Sequence, residues 1–207
     1  AKEFPTNADI VVPVPDSGVP AALGFSEESK IPFELAIIRN HYVGRTFIQP
    51  TQSSRHSTVK MKHNPNKSSV EGKKIILIDD SIVRGTTSVK IVQLMRDAGA
   101  KEVHLRIACP PIMFPDFYGI DTPETEQLLA ANHNLDDMCA FIGADSLGFL
   151  SLDGLYKAMG FSKGRDNENP QFTDHCFTGD YPTDLKDYND KNLQEQLSLL
   201  SDNETSI

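Results

Sequence analysis

The sequence predicts an α/β domain, a mainly parallel sheet with flanking helices and a long flexible lid loop. Three observations carry that expectation. Ile75-Ile76-Leu77-Ile78 is a continuous apolar run, the pattern of a central parallel strand covered on both faces. After a short loop, Val89, Ile91, Val92, Leu94, Met95 and Ala98 follow helical spacing, and Val103, Leu105 and Ile107 then alternate with polar residues. Residues 75–108 therefore form one strand–helix–strand unit, which a right-handed crossover makes parallel. Finally, apolar periodicity collapses from Arg39 to Gly72. A stretch of that length inside a compact domain is a functional lid or a disordered insert.

The elements follow in chain order. Ile10-Val11-Val12-Pro13-Val14-Pro15 is short, β-branched and closed by Asp16-Ser17-Gly18, a buried strand feeding a loop. Ala21, Ala22, Leu23 and Phe25 ahead of Glu27-Glu28 suggest a helix, and Glu34–Ile38 a second strand. Gly99 closes the helix after residue 88. Residues 124–131 read as helical, 147–152 as a strand and 154–159 as a short helix. After Lys163 the chain turns polar and acidic. It is read as an extension without its own core, in which Leu193, Leu197 and Leu200 could line one amphipathic helix.

The 207 residues carry a net charge of −9, the opposite of what a nucleic-acid binder usually shows. The charge is unevenly placed. Residues 165–207 hold ten acids and three bases, whereas residues 39–74 hold eight bases and only Glu71 as an acid. A basic segment in an acidic protein is either a solvated loop or a site for an anion. Cys109, Cys139 and Cys176 contain no CxxC pair, so they form neither a disulfide framework nor a zinc knuckle and fit a reducing, cytoplasmic setting. No apolar run approaches the roughly 20 residues of a membrane span. The start Ala1-Lys2-Glu3-Phe4-Pro5 has no signal pattern and no Met, so the chain reads as a piece of a longer one.

The chemistry concentrates in Asp79-Asp80-Ser81-Ile82-Val83-Arg84-Gly85-Thr86-Thr87-Ser88. Two carboxylates stand where a buried strand emerges at its C-terminal edge, the place where α/β sheets bind ligands. Backbone amides, hydroxyls and a glycine then open a helix, which makes a phosphate cradle. Carboxylates for ribose hydroxyls or a metal, followed by a phosphate pocket, suit a sugar phosphate. The GxxxxGK[ST] and GxGxxG patterns are both absent, which excludes those nucleotide loops. His56 and His63 read as solvated or phosphate-contacting groups, and Cys109 and Cys139 as small buried apolar residues.

This string resembles the phosphoribosyl-pyrophosphate (PRPP) signature of type I phosphoribosyltransferases, in the form found in the glutamine phosphoribosylpyrophosphate amidotransferase family. Val11–Ser17, Arg39–Pro50, Phe117–Asp121 and Cys176–Gly179 agree with that family, and the resemblance covers roughly residues 8–182. It implies a Rossmann-like type I phosphoribosyltransferase fold over residues 1–164, with a lid at about 39–70 and an acidic extension at 165–207. Asp79 and Asp80 would bind the ribose hydroxyls and help place Mg²⁺. Ser81, Val83, Arg84, Gly85, Thr86, Thr87 and Ser88 would hold the 5′-phosphate. Asp16, Ser17 and Gly18 would form the pyrophosphate loop, with Ser17 near the metal. Tyr42, Arg45 and Lys60 would act from the lid.

The implied reaction joins PRPP and ammonia into 5-phosphoribosylamine and pyrophosphate, opening purine synthesis. The implied partners are a glutaminase domain, absent from this chain, purine nucleotides as feedback inhibitors, and further copies in a homo-oligomer. Nucleic acid and membrane are not among them. Some members of the family carry an iron–sulfur cluster. Here Asp116 and Thr173 stand at two of the expected ligand positions and only Cys176 fits, so no cluster is expected. Two other readings stay open: another type I phosphoribosyltransferase with a purine or pyrimidine acceptor, and a non-catalytic module that senses PRPP or nucleotides.

Overall fold

Apolar side chains on both sides of one strand decide the architecture. The computed structural model describes residues 1–40 and 63–185. Its strands are β1 (Ile10–Pro13), β2 (Ile37–Arg39), β3 (His63–Pro65), β4 (Lys74–Asp79), β5 (Glu102–Ile107) and β6 (Ser146–Phe149). Its helices are α1 (Val19–Ser29), α2 (Lys67–Val70), α3 (Thr86–Asp97), α4 (Leu129–Asn132), α5 (Leu135–Ile142), α6 (Leu152–Ala158) and α7 (His175–Thr178). The main sheet runs β1-β4-β5-β6 and every pairing in it is parallel.

Successive residues of a strand point to opposite faces. Ile76 and Ile78 of β4 thus pack with Val11 and with Ala22 of α1. Ile75 and Leu77 meet Ile91 and Met95 of α3 and Met138 and Ile142 of α5 on the other side. The strand–helix–strand unit expected at 75–108 is present, with β4 and β5 parallel along their whole length.

Local chemistry starts and stops the helices. Pro20 opens α1, where its missing N–H is no loss. Asn134 caps α5 by accepting from Asp137 N at 2.9 Å. Ser151 caps α6 by accepting from Gly154 N at 2.9 Å. Such side chains satisfy donors that the first turn leaves unpaired.

The differences from the sequence reading lie in short elements. The second strand is Ile37–Arg39 rather than 34–38, and it pairs antiparallel with β3 in a separate two-stranded sheet. β3 and α2 fall in the stretch that shows no periodicity, because three- and four-residue elements are shorter than one readable period. His63 is buried there rather than solvated, and Val70 is fully buried. Ser69 Oγ donates to Glu34 Oε1 at 2.8 Å. The helix expected over 124–131 resolves into a 3₁₀ turn at Thr125–Gln127 and the single turn α4. Helix α5 was not anticipated. The strand expected over 147–152 ends at Phe149, and α6 begins at Leu152. Among the described residues, no helix is long and apolar enough to cross a membrane.

Leu77 is fully buried at the centre of the sheet. Leu77→Ala should lower stability by about 2–5 kcal/mol, read as a shift of the urea unfolding midpoint without a change in slope.

Candidate functional site

The parallel register of β1 and β4 places Pro13 opposite Ile78, so the loops that follow leave the sheet side by side. Val14 N donates to Ile78 O at 2.7 Å, and Gly18 N donates to Val14 O at 2.9 Å. A Cβ on Gly18 would stand 2.4 Å from Ile78 O. Only glycine lets this loop lie against the end of β4. The Pro15–Asp16 peptide bond is cis. Asp16 and Ser17 are exposed, and Asp16 is ion-paired with Arg39 at the end of β2. That pairing had no sequence signal beyond the charge of Arg39.

At the end of β4 the two acids differ. Asp79 is buried and Asp80 exposed. Asp80 N donates to Asp79 Oδ1 at 2.9 Å. Burial pushes the Asp79 carboxyl up to about 7; that hydrogen bond opposes the rise, and the Asp80 charge adds to it. Cys109 lies on the segment after β5. Burial, helped by the charges of Asp80 and Asp79, pushes its thiol up to about 12, which makes it inert as a nucleophile.

Between β4 and α3, the backbone N–H groups of Ser81 to Gly85 donate to no described protein atom. Gly85 adopts φ +73° immediately before α3. Thr86 and Thr87 are exposed on its first turn and Ser88 is buried. Free amides at a helix start, beside glycine and hydroxyls, form an anion cradle. The loop is held from outside: Leu129 N donates to Val83 O at 2.9 Å and Arg84 Nε to Gln127 Oε1 at 3.0 Å. Neither Leu129 nor Gln127 stands out in the sequence.

The structure thus brings Asp16, Ser17 and Gly18 to the same sheet edge as Asp79, Asp80 and residues 81–88. Tyr42, Arg45 and Lys60 lie outside the described residues.

A second polar cluster lies apart from this edge in the sequence. Ligand atoms of Asp116, His175 and Cys176 lie within 4.8 Å of one another. His175 Nε2 donates to Asp116 Oδ1 at 2.6 Å. Tyr118 N and Ile120 N donate to the other carboxylate oxygen. The backbone bond from Ile120 leads the effects that hold Asp116 below the usual carboxylate range. One thiol beside a carboxylate already committed to three donors does not fit an iron–sulfur cluster, which needs several cysteine thiolates.

Residues 165–185 also pack onto the domain. Arg165 donates to Asp174 and Asp180, and Tyr156 Oη donates to Asp174 Oδ2 at 2.7 Å.

The model of the family described as "Phosphoribosyl transferase domain" matches residues 1–111. An amidophosphoribosyltransferase of Rhizobium etli is 60% identical over 204 residues, 98% of this chain and 41% of the relative. That of Methanothermobacter thermautotrophicus is 52% identical over 184 residues, 89% of this chain and 38% of the relative. The chain spans about two fifths of the length of these curated relatives. Among solved structures, the glutamine PRPP amidotransferase from B. subtilis complexed with ADP and GMP matches with a TM-score of 0.78 and 49% identity. The match covers 89% of this chain and 40% of that one.

Between about pH 4 and about pH 7 the folded protein keeps a proton on Asp79 that the unfolded chain has released. Stability therefore falls as pH rises through that window. Asp79→Asn should remove this part of the slope. Without ligand, it should be more stable than the unsubstituted protein at pH 8, by on the order of 2–4 kcal/mol, as measured by urea unfolding across pH.

Proposed function

The chain belongs to the phosphoribosyl transferase domain family, and on that footing we propose that it is the phosphoribosyl-transferring part of an amidophosphoribosyltransferase. The reaction is PRPP plus ammonia to 5-phosphoribosylamine and pyrophosphate, the first step of purine synthesis. The observation that carries this reading is the convergence at one sheet edge. The Asp79-Asp80 pair, the free amides of residues 81–85 and the 14–18 loop adjoin through the Val14–Ile78 hydrogen bond.

Each part has a task. The amides and hydroxyls of residues 81–88 would hold the 5′-phosphate, and the Asp79-Asp80 carboxylates would accept from the ribose hydroxyls. The 14–18 loop would take the pyrophosphate. As pyrophosphate leaves C1, positive charge builds on the ring and negative charge on the leaving group, and fixed dipoles and cations lower that barrier.

The oxygen donors of Asp79, Asp80 and Ser17 suit Mg²⁺, a hard cation that binds through one or two carboxylates plus substrate phosphates. When bound it would neutralise the charge on the departing pyrophosphate. Tyr42, Arg45 and Lys60 would close over PRPP as a lid and exclude water, so that ammonia captures C1.

The relatives are more than twice as long as this chain, which supports a glutaminase domain as the ammonia source. The B. subtilis neighbour is complexed with ADP and GMP, which supports purine nucleotides as feedback ligands. A cytoplasmic homo-oligomer completes the reading.

The test is pyrophosphate release from PRPP with Mg²⁺ and ammonium. Asp79→Asn with Asp80→Asn should reduce the rate by at least about 10²-fold. Absence of release, or release untouched by the double substitution, overturns the reading. Release that requires a purine or pyrimidine base points to another member of the fold.

A further inference from the structure

The loop from Asp80 to Gly85 has an unusual support. The N–H groups of Ser81 to Gly85 donate to no described protein atom, so the loop's shape depends on what holds its carbonyls, side chains and outer surface. Besides the core packing of Ile82, the Val89 N to Gly85 O bond and the Phe141 ring against Gly85, three holds come from one short segment. Leu129 N donates to Val83 O at 2.9 Å. Gln127 Oε1 accepts from Arg84 Nε at 3.0 Å. The Leu129 side chain fills the space where a Cβ on Gly85 would stand, with Cδ2 at 2.6 Å from that position.

The segment is itself braced. Asn132 Nδ2 donates to Thr125 O and Leu128 O, both at 2.8 Å. Leu128 is fully buried and Leu129 nearly so.

We infer that residues 125–129 are a buttress that fixes the amides of residues 81–85 for an organic phosphate, with Gln127 the positioning residue that holds Arg84. The inference rests on the reading that this loop takes the 5′-phosphate. Dipoles held in place before binding need no reorganisation when the anion arrives, so the gain appears in affinity. Arg84 and Gln127 are both exposed, and a bond between exposed side chains adds little to folding stability. Losing it should therefore weaken ligand binding without unfolding the protein.

The experiment compares the unsubstituted protein with Gln127→Ala and Gln127→Glu. Three quantities are measured: the dissociation constant of ribose 5-phosphate by calorimetry, KM and kcat for PRPP with ammonium, and Tm. Gln127→Ala should weaken ribose 5-phosphate and raise KM by about fivefold each, with kcat and Tm unchanged. Gln127→Glu keeps an acceptor for Arg84 and should restore both values. Equal binding by Gln127→Ala and the unsubstituted protein overturns the inference. So does a Gln127→Glu protein as weak as Gln127→Ala, or failure of the unsubstituted protein to bind ribose 5-phosphate. If ribose 5-phosphate binds with this ranking but no pyrophosphate is released from PRPP, the transferase reading fails and the buttress stands.

Discussion

β4 carries apolar side chains on both faces and a carboxylate at its last position, and the geometry of the site descends from that combination. Each face needs a cover, so α1 must lie on one side and α3 and α5 on the other. A strand buried on both faces cannot slip by one residue without moving its side chains to the wrong layer. The register with β1 is therefore firm. A firm register puts Pro13 opposite Ile78 and brings the loop after β1 against the loop after β4. Gly18 completes the fit, since a side chain there would collide with the carbonyl of Ile78.

The same burial sets the electrostatics. Among the described residues, the three buried acids receive different treatment. Asp174 is taken up by Arg165, Tyr156 and Thr178. Asp116 accepts from His175 and two backbone amides. Both are held below the usual carboxylate range; for Asp174 burial opposes the drop, and the three side-chain donors overcome it. These are closed accounts of structure, with every oxygen matched. Asp79 has one amide and an acidic neighbour, so its charge lacks an internal partner. A buried carboxyl left in that condition at a sheet edge is how a protein reserves a place for a cation or for hydroxyl donors.

This distinction explains what the residues disclosed by themselves. The run from Ile75 to Asp80 could be read directly, because continuous apolarity followed by acids has few physical interpretations. The helix at Val89–Ala98 had enough turns to show its period. The small sheet of β2 and β3 did not, since its pairing joins residues 37–39 to 63–65 and three-residue strands show no pattern. Helix α5 was hidden for another reason. Its polar first turn, Asp136 and Asp137, reads as loop until Asn134 is seen to cap it. In the site, the loop residues were legible from their types. Their supports were not: Gln127 and Leu129 look like any surface glutamine and core leucine, and only the fold brings them against Val83, Arg84 and Gly85.

The acidic stretch after Lys163 follows the same logic of partners over totals. Its composition suggested an extension without its own core, yet residues 165–185 are attached by their own charges. Arg165, whose side chain is only 8% exposed, sits between Asp174 and Asp180. His175 reaches Asp116, and Tyr181 Oη donates to Pro115 O at 2.8 Å. A buried arginine with two carboxylates is worth more than its place in a net charge, because removing either side would strand an uncompensated ion away from water. The segment therefore clasps the 113–122 loop. Contacts with the 113–122 loop and with Tyr156 thus run past the point where the composition changes, to residues that satisfy buried charges.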